Sequence, residues 1–130
     1  MPTPEKRCEL VIIETSDLHG NVFPINYGNH QETNSGIAKI AQLINQVKQK
    51  YDYTFLIDNG DVIQGTPLTY HYAKFLHDKK NPMISILNSL DYDAAIIGNH
   101  EFNYGMGLLK KAVNESNFPW LSANILSEET

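Results

Sequence analysis

The chain has 130 residues, enough for one domain with a modest core, and its 42% hydrophobic and 19% charged content is that of a folded protein rather than a disordered one. A net charge of −5 argues against a nucleic-acid polymer as partner, since that binding is driven by Lys and Arg. It leaves a small phosphorylated substrate open if metal ions supply the positive charge locally.

The single cysteine, Cys8, excludes an internal disulfide and leaves the compartment open. No apolar run is long enough for a membrane span, and "MPTPEKRCEL" holds no signal-peptide-like segment. Short β-rich runs alternate with amphipathic ones, the pattern of an α/β fold with a mostly parallel sheet flanked by helices. "ELVIIETS" predicts the first strand, its consecutive apolar residues Leu10 to Ile13 fitting a strand covered on both faces. The loop "NVFPINYGNHQETN" follows, and Ser35 is the expected cap of a helix from Gly36 to Tyr51 with Ile37, Ile40, Ala41, Ile44 and Val47 on its apolar face. "YTFLID" is the second strand. Pro67 and Pro82 each suit a first helical position, the former ahead of a stripe of Leu68, Tyr72, Ala73 and Leu76, the latter ahead of Met83, Ile86, Leu87 and Leu90. "DAAIIG" is the third strand. A helix over residues 107–116 then faces Leu108, Leu109, Ala112 and Val113 inward, and "PWLSANI" is the fourth strand.

Three strands end in related phrases: "SDLHGN", "DNGDVIQG" and "GNHEFNYG". In a parallel sheet the carboxyl ends lie on one edge, where ligands bind, so Asp17, His19, Asp61, Asn99 and His100 are expected to converge. Asp17 and His19, one residue apart, point to one side if their segment is still extended. A carboxylate with an imidazole suits Zn, Mn, Fe or Co better than Mg or Ca. Asp61 offers a carboxylate able to bridge two ions, and Asn99 a neutral amide oxygen. Two such ions would clamp a phosphoryl group and generate a hydroxide between them. Taken singly, each motif reads as a turn, with Asp58 and Asp61 as turn acids and Asn99 in a left-handed conformation. The ordered set of three favours a site. His30, His71 and His77 read as surface residues, Glu101 as a brace for its loop, and Tyr70, Tyr72, Tyr104 and Trp120 as packing. Asn124, at the end of the fourth strand, suits a substrate contact or a brace.

Asp-x-His, Gly-Asp-x-x-x-Gly and Gly-Asn-His-Glu, in that order after successive strands, resemble the calcineurin-like metallophosphoesterases. "DLHGNVFP", "NGDVIQGTP" and "GNHEFNYG" are similar to the 5'-nucleotidase and 2',3'-cyclic-nucleotide 2'-phosphodiesterase branch, over residues 10–125. The resemblance implies the N-terminal half of an αββα sandwich. It also implies two divalent metal ions, Asp17 and His19 on the first, Asp61 bridging and Asn99 on the second. His100 would touch the phosphate and assist the leaving oxygen of a small nucleotide. A separate C-terminal domain would grip ribose and base, and the location would be extracytoplasmic.

Two departures shape the expectations. The family completes its shells with downstream histidines in a Gly-His-x-His segment, which no histidine here matches, so residues 1–130 are expected to be the N-terminal part of a longer enzyme. Alone they would bind metal weakly, turn over little substrate and self-associate through an exposed sheet edge and face. The nucleotidases also place an aspartate where this chain has Asn103. An Asn can orient the His100 imidazole by accepting its hydrogen bond but cannot favour its cationic form. "NHEFNYG" resembles the form found in the cyclic-nucleotide branch, which implies 2',3'-cyclic-nucleotide 2'-phosphodiesterase activity, with 3'-nucleotidase activity in the longer enzyme. The competing readings are a 5'-nucleotidase/UDP-sugar hydrolase and a non-catalytic domain of the same fold.

Overall fold

The computed structural model describes residues 7–126. Four strands, β1 (Val11–Thr15), β2 (Thr54–Asp58), β3 (Ala94–Ile96) and β4 (Trp120–Leu121), form one sheet in the order β1-β2-β3-β4. Every neighbouring pair is parallel, with Ile12 opposite Phe55, Asp58 opposite Ala95, and Ile96 opposite Leu121. Helix α1 (Ile37–Lys50) joins β1 to β2, α2 (Pro67–Phe75) and α3 (Pro82–Ser89) join β2 to β3, and α4 (Met106–Glu115) joins β3 to β4. No described helix is long and apolar enough to cross a membrane.

Stepping through a parallel sheet in one direction with right-handed crossovers deposits every helix on the same face. The burial of alternate strand residues shows the result. Ile13, Leu56, Ala95 and Trp120 pack with Ile37, Ile44, Met83, Leu87 and Ala112 in one core. On the other face Ile12, Phe55, Ile96 and Leu121 are exposed, by 62%, 41%, 38% and 52%. The apolar run Leu10 to Ile13 therefore serves a strand with one covered face within this chain, not two.

The helix ends depart from expectation for local reasons. Gly36, not Ser35, is the N-cap of α1; Ser35 shares a hydrogen bond with Thr33 instead. The first free N–H groups of α1 reach the carbonyls of Asn21 and Val22, so backbone does the work expected of a side chain. At α3, Asn81 caps as its type predicts, its Oδ1 accepting from Met83 and Ile84. Thr69 is buried on α2 in place of Leu76, which lies past the helix end and is 41% exposed. Val113 on α4 is likewise exposed, and β4 is two residues long rather than the seven of "PWLSANI".

Candidate metal centre

Pairing between the first two strands continues past their ends in a kinked form. Backbone N–H groups of Asp17, His19 and Gly20 donate to the carbonyls of Gly60, Asp61 and Val62 at 3.0, 2.8 and 2.9 Å. Asp17, His19 and Asp61 hold φ at 54°, 46° and 60°, and they are three of the five described non-glycine residues with positive φ. Each such residue costs about 1–3 kcal/mol and persists only where its surroundings impose it. The extended segment expected from sequence is thus replaced by alternating left-handed residues. These, rather than strand alternation, turn Asp17 and His19 to one side.

One ligand atom from each of Asp17, His19 and Asp61 lies within 4.8 Å of the other two. His19 Nδ1 is 2.9 Å from the Gln64 carbonyl and donates to it. Its Nε2 lone pair is then left facing the site, 3.7 Å from Asp17 Oδ1. A carbonyl partner of this kind is what orients a metal-ligating imidazole. Ser16 Oγ donates to Asp17 Oδ2, and the His100 backbone N–H donates to Asp61 Oδ1 at 2.8 Å. Each of the three side chains therefore has one atom tied down and one uncommitted. Two carboxylates and an imidazole converging this way fit a borderline divalent cation such as Zn, Mn, Fe or Co.

The exit of β3 closes on the same point. A Cβ at Gly98 would lie 2.3 Å from Asp61 Oδ1, so only glycine allows this approach. A Cβ at Gly65 would similarly meet the His19 carbonyl oxygen at 2.5 Å, with φ at +146°. The His100 and His19 rings meet edge to face with centroids 5.2 Å apart. Asn99 is exposed with φ −72°, so the left-handed alternative for it does not hold, and its amide is free to reach a ligand. Asn103 Nδ2 stands 2.9 Å from His100 Nδ1. With the amide donating, Nδ1 accepts and the ring proton sits on Nε2, the reverse of the polarity anticipated from sequence. Turning the amide over restores that polarity, and in either case the partner is neutral.

Asp58 is the turn acid that its sequence suggests, its Oδ1 closing the turn onto the Gly60 N–H, but a buried one. It is fully buried, accepts from Thr15 Oγ1 at 2.6 Å and from the Gly60 N–H at 2.9 Å, and Thr15 also bonds the Tyr92 hydroxyl. Burial pushes its pKa up to about 6, against the pull of those hydrogen bonds. Nothing in sequence spacing marked this burial or the Gln64 carbonyl. Asn124 lies apart. It is exposed, accepts from Ser122 Oγ at 3.2 Å, and lines a cleft of about 480 Å³ with Ile96, Leu121 and Ala123. His30, His71 and His77 are exposed as expected, and so is Tyr70, which does not pack.

The family model for "Calcineurin-like phosphoesterase" matches residues 10–129. The "Trifunctional nucleotide phosphoesterase protein YfkN" of Bacillus subtilis is 39% identical over 96% of this chain and 10% of its own length. Its crystal structure superposes with a TM-score of 0.82 at 40% identity, over 86% of this chain and 36% of that one. A "2',3'-cyclic-nucleotide 2'-phosphodiesterase/3'-nucleotidase" of Yersinia enterocolitica is 40% identical over 94% of this chain and 19% of its own length. A "Snake venom 5'-nucleotidase" of Crotalus adamanteus is 37% identical over 90% of this chain and 20% of its own length. The chain thus spans a fifth or less of these curated relatives.

Proposed function

The chain belongs to the calcineurin-like phosphoesterase family, and on that premise we propose that residues 1–130 are the N-terminal part of a dinuclear-metal enzyme that opens 2',3'-cyclic nucleotides at the 2' position. The convergence of Asp17, His19 and Asp61, with the His100 ring packed on His19, carries the metal part of this reading. Asp17 and His19 would hold one ion, Asp61 both and Asn99 the second. Four side chains are too few for two complete shells, so the remaining ligands lie outside these residues. When bound, two cations of the Mn, Zn, Fe or Co class neutralise phosphoryl charge and acidify the attacking water.

His100 presents Nε2–H to a phosphoryl oxygen and then to the departing 2'-oxygen, in line with attack from the opposite side. Asn103 holds the ring without adding charge. A cyclic diester carries one negative charge and a monoester nearly two, so an Asn103 partner that adds no charge to His100 suits the diester. Asn124 would touch the nucleotide beyond the phosphate. The likeness to a venom 5'-nucleotidase supports 5'-monoester hydrolysis as the second reading, and an extracytoplasmic location as the matching proposal.

The test compares kcat/KM of the intact enzyme for 2',3'-cyclic AMP, 3'-AMP and 5'-AMP with Mn²⁺. The cyclic diester should be the best substrate, and 5'-AMP leading would replace this reading with the second one. The 130 residues alone should bind Mn²⁺ weakly and turn over almost nothing; brisk Mn²⁺-stimulated hydrolysis by them would refute the ligand count. Their bare face and open β1 and β4 edges should also drive self-association. A strictly monomeric chain by light scattering would refute that.

A further inference from the structure

Glu101, like Asp58, has no exposed surface and lies beside the site. Its two oxygens are occupied entirely by backbone. Oε1 accepts from Val62 at 2.6 Å and from Ile63 at 3.3 Å, while Oε2 accepts from Asp61 at 2.9 Å and Gly98 at 2.8 Å. No ion pair to it is found among the described residues. Both oxygens of this buried carboxyl are satisfied by donors aimed at them, four backbone N–H dipoles in all. Three of them belong to the loop after β2 and one to the loop after β3. The carboxylate therefore does more than brace its own loop; it fastens two ligand-bearing loops to one another.

The consequence falls on Asp61. Its backbone N–H is anchored by Glu101, its φ is left-handed, and its Oδ1 takes the N–H of His100, the residue just before Glu101. We infer that Glu101 is a positioning residue that fixes the Asp61 carboxylate, and through the same clamp the Asn99–His100 segment, at the spacing the cations require. It touches neither metal nor substrate. Replacement by Gln keeps size and one acceptor oxygen but turns an NH₂ group toward two N–H donors, so one half of the clamp, Val62 with Ile63 or Asp61 with Gly98, opens.

This inference rests on the metal-centre reading above, and the experiment separates the two. Mn²⁺ binding to the chelator-stripped intact enzyme is titrated calorimetrically for the wild type, E101Q, E101D and L87A. Leu87 is a fully buried core residue on α3 outside the site, so L87A supplies general destabilisation without touching the clamp. E101Q should raise the Mn²⁺ Kd by about 10–100-fold, the range for losing a partner that orients metal ligands. L87A should leave it within twofold. E101D keeps the charge on a shorter arm and should fall between, which preserves the test if E101Q does not fold. An E101Q or E101D Kd equal to wild type, or a shift matched by L87A, overturns the role of Glu101. A wild-type enzyme that binds no Mn²⁺ overturns the metal-centre reading itself.

Discussion

The strand exits fall into two kinds. After β1, β2 and β3 the chain is held by backbone pairing, left-handed residues, glycines at contact distance and one buried carboxylate. After β4 it is exposed, and among the described residues Asn124 bonds only its near neighbour Ser122. Both ends lie on the same edge of the same sheet. On the proposed function, the difference follows the need for orientation. Groups that must meet a phosphoryl centre within a fraction of an ångström need a supporting shell, whereas a group that only helps retain substrate does not.

The comparison breaks most visibly at Asp61. In the intact enzyme, D61A would remove the carboxylate proposed to be shared by two ions. Since metal charge stabilisation is worth several kcal/mol, kcat should fall on the order of 10³-fold or more. An activity within tenfold of wild type would mean that the three exits do not form one centre. G98A tests the packing rather than the chemistry. Its methyl group would overlap Asp61 Oδ1, and a displacement near 1 Å at such a site costs about 10²-fold in rate. The same substitution at Gly107, where an added Cβ meets nothing within 4 Å, should be silent.

Asp58 shows that the ordered side of the comparison carries a stability cost. Its folded-state pKa of about 6 lies above its ordinary 3.8. Between those values the folded chain keeps a proton that the unfolded chain has released. The unfolding free energy therefore falls as pH rises from about 4 to about 6 and levels off above, by roughly 3 kcal/mol. In urea titrations of chelator-treated protein, D58N should remove this slope, because its amide can still accept from Gly60 and donate to Thr15. Parallel pH profiles for the two proteins would show that Asp58 is not the source.

Much of the ordered side was legible beforehand. Asp17, His19 and Asp61 stand out because metal-capable types follow three strands, and parallel topology alone brings such exits together. What was illegible is long-range. The left-handed φ values come from pairing with a loop some forty residues away, and Asp58 is buried by Thr15 and Tyr92 from other elements. Glu101 looked like a brace for its own loop because its three partners after β2 are distant in sequence. On the loose side, "PWLSANI" reads as a seven-residue strand by composition, yet only Trp120 and Leu121 find partners on β3. Propensity identifies a segment fit for pairing, and the neighbour decides how much of it pairs.

A smaller effect is expected where the ordered side would, on the proposed function, meet the leaving group. N103D places a carboxylate against His100 Nδ1 in place of the neutral amide. The difference between a charge-assisted and a neutral hydrogen bond is about 1.4 kcal/mol, so the monoester-to-diester ratio of kcat/KM should rise roughly tenfold. An unchanged ratio would remove Asn103 as the basis for cyclic-diester preference.

The smallest effect belongs to the loose exit and is the sharpest test of the contrast. If Asn124 only helps hold the nucleotide, its contribution is the same in the bound substrate and in the transition state. N124A then raises KM and leaves kcat alone, by about fivefold for one neutral hydrogen bond of about 1 kcal/mol. Because among the described residues its side chain bonds only Ser122, no rearrangement should travel from it to Asp61 or His100. Steady-state kinetics on 2',3'-cyclic AMP separate the two parameters directly. A fall in kcat at unchanged KM would place Asn124 among the orienting groups, and the division between the first three exits and the fourth would no longer stand.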